Sequence, residues 1–345
     1  MSKVQIVAEI GCNHNGSPEL ARQLVDEAAR CGVDAVKFQT FSADALISRY
    51  APKAAYQEAT TGTADSQLEM TRALELPNDA LLELWGYARS LGLDAFSTPF
   101  DLGSVAFLQA QGMRTWKIPA GEITNLRYLE RIGSFAVEGK RIILSTGMAT
   151  IDEVEACVSI LERSGTPRQT ITLLHCNTEY PSPDRDMNLR AVRTLMEHFP
   201  DMQVGLSDHS VGAVAAIGAV ALGACMVEKH FTLDKDLPGP DHKASATPDE
   251  LRALVEGVRR MEVMLGSGQK VPSPSETPNK VVARKSLVAA RDIRKGEVLT
   301  EENMTCKRPG SGISPMSWYD VLGKVAERDF CADELIEVEG FEPQR

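Results

Sequence analysis

The chain has 345 residues, enough to bury a large core and to divide into one big domain and a smaller one. Its 48 acidic and 37 basic side chains give a net charge of -11, which excludes the broad basic surface that nucleic acid requires; a small anion must be held by a few lysines, backbone amides or a metal placed locally. No apolar run is long enough to span a bilayer, the N-terminus lacks the order of a signal peptide, and the seven cysteines form no CxxC pair, so a cytoplasmic protein with reduced thiols is expected.

From residue 4 onward, short β-rich runs alternate with amphipathic helical stretches. The runs are VQIVAEIG, AVKFQT, LDAFSTPF, RTWKIPAG, RIILSTG, ITLLHCN, QVGLSD and CMVEKHF. Helical patterns lie between them, such as Pro18 to Cys31, Asn78 to Leu91, Asp152 to Ser164 and Leu189 to His198; Val211 to Gly223 reads as a helix too apolar to face water, and Pro248 to Leu265 follows the last strand. Eight β/α units predict a TIM (β/α)8 barrel over residues 1–265, with its site at the C-terminal ends of the strands. A doubly wound sheet is the rival, but GCNHNGS after the first run lacks the GxGxxG spacing of a dinucleotide fold. The segment Phe41 to Leu76 is too long for a plain connection and is expected to overhang the barrel mouth. Residues 266–280, rich in Pro, Ser and Gly, read as a linker, and residues 281–345 as a small, mostly β module carrying KRPGSG at 307–312.

Polar residues gather at the strand ends: Glu9, Lys37 with Gln39, Thr98, Lys117 with Glu122, Ser145 with Thr146, Asn177 with Tyr180, Ser207 with His209, and Glu228 with His230. Residues two apart on a strand share a face, so Lys37 joins Gln39 and Glu228 joins His230. A lysine inside an apolar strand is costly unless it meets an anion, and two of them beside serines and threonines suggest a phosphate or carboxylate cradle rather than a lone buried ion pair. His209 and His230 stand near neighbouring strand ends one βαβ unit apart, where two imidazoles can share a divalent cation and leave positions open for substrate oxygens. Of the other histidines, His14 belongs either to the mouth or to a polar loop. His175 reads as core, His198 as a helix-terminal cap, and His242 as unassigned.

These residues lie in motifs that carry a family resemblance: EIGCNHNGS, AVKFQTF, FSTPFD, WKIPAGE, STGMAT, LLHCNTEYP, GLSDHS, EKHFTLDK, PGPDH and, in the tail, KRPGSGISPM. The chain resembles the sialic acid synthases, which condense phosphoenolpyruvate with an N-acetylated mannosamine, and its tail resembles their antifreeze-like SAF domain. The resemblance implies that His209 and His230 hold manganese, or in its place magnesium or cobalt. It implies that Lys37, Thr98, Lys117, Ser145 and Ser207 bind phosphoenolpyruvate, with Asn177 also among the substrate-binding residues. Glu9 would position the attacking water, and Gln39, Glu122, Tyr180 and Asp241 would contact the sugar, with Glu9, Glu122 and Tyr180 the candidate catalytic set. Arg308 would reach the N-acetyl group from a second subunit of a domain-swapped homodimer. Ala120 stands where some members have serine, Thr63 where some have asparagine near the sugar, and Asn177-Thr178 where others read Thr-Asn.

The chemistry suits that resemblance, because an open-chain aldehyde is a poor electrophile until a cation polarises its oxygen. The overall likeness to N-acetylneuraminate-forming members favours N-acetylmannosamine as acceptor over its 4-acetamido-6-deoxy analogue, whose product is diacetyllegionaminic acid. Three other readings compete. A condensing enzyme for a phosphorylated sugar would want more basic residues than Arg49, Lys53 and Arg72 at the mouth. A non-catalytic carbohydrate- or ice-binding protein would have a dead barrel, and a non-haem iron oxygenase would need a carboxylate ligand, for which Asp208 points to the wrong face.

Overall fold

The computed structural model describes residues 3–62 and 64–343; Thr63 lies outside the described residues. The chain divides into two compact units, Met1–Gly266 and Ser267–Arg345. In the first, eight strands are parallel: β1 (Gln5–Glu9), β2 (Ala35–Thr40), β3 (Asp94–Pro99), β4 (Thr115–Ile118), β5 (Arg141–Ser145), β6 (Ile171–Cys176), β7 (Gln203–Asp208) and β8 (Met226–His230). They are hydrogen-bonded in the order β3-β2-β1-β8-β7-β6-β5-β4, and β3 lies beside β4 to complete a TIM-type ring. The strands are apolar on both faces because one face fills the barrel and the other is covered by helices.

The covering helices start and stop where the sequence provides caps. Ser17 accepts a hydrogen bond from the Leu20 N–H, Pro18 opens the first helix, and Gly32 ends it in the left-handed region at φ 82°, so that Ala21, Leu24, Val25 and Ala28 face the barrel. The last barrel helix, Pro248–Leu265, buries Leu251, Leu254, Val255 and Val258. Its Arg259 donates to the Val4 carbonyl at 2.7 Å and pairs with Asp34 at 2.5 Å, tying the end of the barrel to its beginning. The apolar helix after β7 spans Val214–Ala221, starting later than the composition suggested because Gly212, at φ 77°, holds the preceding turn. The long segment after β2 folds into three short helices, Ala43–Leu46, Ala55–Thr61 and Gln67–Arg72.

In the second unit, the helix Thr277–Ala283 begins inside the stretch read as linker. Beyond it, β9 (Ser286–Ala289) pairs antiparallel with β10 (Met304–Lys307) over a separate core that includes Leu287, Ile293, Leu299, Met304 and Phe330. Among the described residues, no helix is long and apolar enough to cross a membrane.

The ends of β7 and β8 show how strand alternation sorts charge. Asp208 and Lys229 are register partners on the outer face, where they form a fully buried ion pair at 2.9 Å; Asp208 also accepts from the Ser210 N–H at 2.9 Å and hydroxyl at 2.6 Å. Their neighbours Ser207, His209, Glu228 and His230 are thereby turned to the inner face. Removing one member of a buried pair strands the other charge, so Asp208→Ala is expected to lower the free energy of unfolding by about 3–5 kcal/mol. Asp208→Leu combined with Lys229→Met should recover most of that loss. Denaturant titration checks both, and a single-variant loss within about 0.5 kcal/mol would contradict the assignment.

Candidate active site

The parallel register sets Glu9 opposite both Lys37 and His230 at the strand ends. Glu9 is fully buried. One of its oxygens accepts from the Gly11 N–H at 2.6 Å and from the Gln39 amide at 3.4 Å, and the other pairs with Lys37. Gly11 is needed for this grip, since a Cβ there would fall 2.2 Å from the Glu9 carboxylate and 2.4 Å from Gln39 Cγ. Gln39 is itself oriented by the Cys12 thiol, which donates to its carbonyl oxygen at 3.2 Å.

Glu228 is the second carboxylate of the cluster. Its Oε1 accepts from Lys117 at 2.9 Å and from the Ser207 hydroxyl at 3.0 Å, and lies 3.5 Å from Lys37, which also donates to Thr98 at 3.1 Å. Two lysines and two glutamates are thus buried together. Burial alone would raise the Glu228 carboxyl, but Lys117 and Lys37 outweigh it and hold it well below the usual carboxylate range. Burial pushes Glu9 up against the opposing pull of Lys37. The lysines diverge for a local reason. Burial would lower both, yet Lys37 meets two carboxylates and is raised, whereas Lys117 meets one carboxylate and the charge of Lys37 and is lowered.

Beside this cluster the His209 and His230 rings lie 5.3 Å apart between centroids. His209 donates through Nδ1 to the Asn177 carbonyl, leaving the Nε2 lone pair inward. His230 Nδ1 has no hydrogen-bond partner among the described residues; Asp241 Oδ2 is 3.8 Å away. Burial lowers His209 to about 4 and takes His230 well below its ordinary value, so both rings are neutral at physiological pH, as a metal ligand must be. Burial, with Glu9 nearby, raises Asp241 to about 7. No group of three or more His, Cys, Asp or Glu with metal-binding geometry occurs among the described residues. Two neutral imidazoles, one with an unpartnered buried nitrogen, nevertheless fit a divalent cation that keeps most positions open.

Lys37, Gln39, Lys117, Ser145, Tyr180, Ser207, His209, His230 and Asp241 line one cavity of about 290 Å³. Glu9 and Thr98 lie just behind it, joined through Lys37. Two expected site residues of the barrel turn away from this lining. Glu122 sits half-buried in the turn Ala120–Glu122 and accepts from the Asn125 amide at 2.6 Å, while Ala120 and Gly121 of the same turn face the cavity. The Asn177 side chain is spent on its own turn: its oxygen accepts from the Glu179 N–H at 2.8 Å and the Ser182 hydroxyl at 3.1 Å, so Thr178 lines the cavity instead. Arg308 belongs to the second unit, where its Nε donates to the Ala283 carbonyl at 3.1 Å.

Two contributors were absent from the expected set. Glu228 shares its strand face with His230, a pattern visible in the two-residue spacing. Tyr56, on the helix Ala55–Thr61, stacks on Tyr180 at 5.2 Å, and Tyr180 in turn lies 4.1 Å from the His209 ring; no local signal marks such a tertiary contact. The remaining histidines are held by nearby chain: His175 meets the Met187 carbonyl, His198 the Thr194 carbonyl one helical turn back, His242 the Thr232 hydroxyl, and His14 Nδ1 accepts from the Gly16 N–H.

Residues 24–270 match the model of the NeuB family, and residues 284–341 that of the SAF domain. The chain is 49% identical over 336 residues to N,N'-diacetyllegionaminic acid synthase of Campylobacter jejuni, covering 97% of this chain and 99% of that one. It is 42% identical over 320 residues to the enzyme of the same name from Legionella pneumophila, covering 92% and 89%. Among solved structures, the N-acetylneuraminic acid (sialic acid) synthetase of Leptospira borgpetersenii in complex with citrate superposes with a TM-score of 0.69 at 33% identity, over 81% of this chain and 90% of that chain.

The grip on Glu9 gives a direct test. Gly11→Ala forces the carboxylate and Gln39 aside, and misplacement of this kind is expected to lower kcat roughly 100-fold while leaving the thermal transition nearly unchanged. Phosphate release from phosphoenolpyruvate measures the first and calorimetry the second. Wild-type turnover in the variant would show that the contact does not matter.

Proposed function

We propose, from the premise that this chain belongs to the NeuB family, that it condenses phosphoenolpyruvate with 2,4-diacetamido-2,4,6-trideoxymannose and water to give N,N'-diacetyllegionaminate and phosphate. The chain is a nonulosonic acid synthase. For the acceptor, the expectation of N-acetylmannosamine gives way to the second candidate, because 49% identity to a diacetyllegionaminic acid synthase outweighs 33% to a sialic acid synthetase. That near-full-length identity is the observation that carries the reading.

The geometry supports the chemistry. Lys37 and Lys117 sit at the cavity floor with Ser145 and Ser207, a set able to hold the phosphate and carboxylate of phosphoenolpyruvate, and their pairing with Glu9 and Glu228 fixes the ammonium groups before substrate arrives. A divalent cation, manganese or else magnesium or cobalt, on His209 and His230 would supply the Lewis acidity that activates the acceptor's carbonyl. As the enol carbon of phosphoenolpyruvate bonds to that carbonyl carbon, positive charge grows at C2. Glu9 is oriented toward the lysine layer and would stabilise this charge and guide water to C2. The water oxygen bonds there, one of its protons goes to the alkoxide left on the acceptor's former carbonyl oxygen, and the C2 ketone forms as the second proton passes to the phosphate, which departs with the electrons of the C–O bond. Asp241, Gln39 and Tyr180 are available to the sugar, and Arg308 would reach its acetamido group in trans from a second subunit.

Among the described residues of the segment after β2, a phosphorylated acceptor finds no free basic cluster. Arg72 is paired with Asp44 at 2.5 Å, and Lys53 donates to Thr61 Oγ1 at 3.1 Å and to the Gly62 carbonyl at 3.0 Å. Arg49 lies over the Tyr50 ring at 5.0 Å. Asp208, the carboxylate adjoining His209, is committed to Lys229 on the outer face and is not available as an oxygenase-type ligand.

The reading is tested by supplying phosphoenolpyruvate with each sugar and following phosphate. Phosphate release is expected to stop with chelator, to return with manganese, and to favour the diacetamido sugar at least 10-fold in kcat/KM. Preference for N-acetylmannosamine would overturn the acceptor, and undiminished release after complete metal removal would overturn the role of the histidines.

A further inference from the structure

We infer that an apolar wall above β2 and β3, with the Thr71 hydroxyl as its polar contact, reads the C4 acetamido and C6 methyl groups of the acceptor. This rests on the function proposed above. The cavity has two unlike sides. Its charged and imidazole groups come from β2, β4, β7, β8 and the loop after β8, whereas Phe41, Leu46, Ile47, Met70, Leu74 and Phe100 come from the segment after β2 and the end of β3. Phe41 follows the end of β2 and Phe100 the end of β3, and their rings meet edge to face with centroids 6.2 Å apart.

Strand order sets the direction of the sugar. In the ring β3-β2-β1-β8-β7-β6-β5-β4, β3 stands four places from β7 and three from β8, so the Phe100 side faces the histidines across the cavity. An acceptor with its reacting carbonyl at the histidine end extends its C4 to C6 portion toward this wall. A methyl group at C6 buries there without penalty. A hydroxyl in its place gives up water and meets carbon.

The 4-acetamido group needs a polar partner; the segment after β2 brings Gln57, Gln67 and Thr71 to the cavity, and of these Thr71 adjoins Met70 of the wall. Thr71 is buried, lines the cavity, and makes no side-chain hydrogen bond among the described residues. Its helix, Gln67–Arg72, is fixed at the start by a reciprocal cap between Ser66 and Glu69, and Met70 beside it is buried. The hydroxyl is thus held in place with its hydrogen-bonding capacity unspent, a match for an amide carbonyl or N–H.

Two variants test the wall, the first isosteric and the second one carbon shorter than the residue it replaces. Thr71→Val removes the hydroxyl, and Ile47→Thr adds one. For each, kcat/KM is measured with the diacetamido sugar and with N-acetylmannosamine, and the two nonulosonic acid products are titrated calorimetrically to obtain Kd. Thr71→Val is expected to lower the diacetamido/N-acetylmannosamine ratio roughly 10-fold, and Ile47→Thr to narrow it roughly 10- to 100-fold, with product affinities moving in the same sense. A diacetamido-preferring wild type whose ratio survives both variants overturns this inference alone. A wild type that prefers N-acetylmannosamine overturns the proposed function, and the wall with it. If Ile47→Thr melts early, Thr71→Val decides the question by itself.

Discussion

The site depends on one carboxylate. Glu228 Oε1 is shared by Lys117 at 2.9 Å, Ser207 at 3.0 Å and Lys37 at 3.5 Å, and without it two ammonium groups would stand close together in an almost dry interior. Desolvating each charge costs several kcal/mol, and the arrangement persists because every member has an opposite charge or a hydroxyl in reach. The barrel makes this affordable by register: adjacent parallel strands bring Glu9, Lys37 and His230 to one level, and Ser207 to Glu228 at the next contact. A cluster that is electrically balanced before substrate arrives can hold its lysines still, which is what an anion site in a protein of net charge -11 requires.

The same alternation that faces these groups inward places Asp208 and Lys229 outward, where they lock the ends of β7 and β8 together. The two histidines of the inner face are therefore carried by strands clamped from outside. His209 is oriented through the Asn177 carbonyl, so the turn that consumes the Asn177 side chain also sets the ring. Structural and chemical roles are divided between neighbours on one strand rather than between separate parts of the fold.

This division explains what was legible in the sequence. The strands, the inward face and the histidine pair could be read because period-two alternation and strand-end position are local properties. Asn177 and Glu122 hydrogen-bond within their own turns, which was not legible because a polar residue at a strand end can either face the cavity or satisfy its own turn, and spacing alone does not distinguish the two. Tyr56 was invisible because it reaches Tyr180 from a segment with no periodic signal. The acceptor was drawn toward N-acetylmannosamine for a related reason. Of the apolar wall, the motifs that carry the resemblance include only Phe41 and Phe100, whereas Leu46, Ile47, Thr71 and Leu74 fall in a segment read only as overhanging the mouth.

The central claim is that Glu9, gripped by Gly11, Gln39 and Lys37, acts on charge that develops only as the reaction proceeds. The most direct measurement is a comparison of Glu9→Gln with the wild type for both phosphoenolpyruvate Kd by calorimetry and kcat by phosphate release. An unchanged Kd, within about twofold, with kcat lowered by roughly 100-fold or more is the predicted result. A weakened Kd with kcat intact would contradict it and make Glu9 a substrate-binding group.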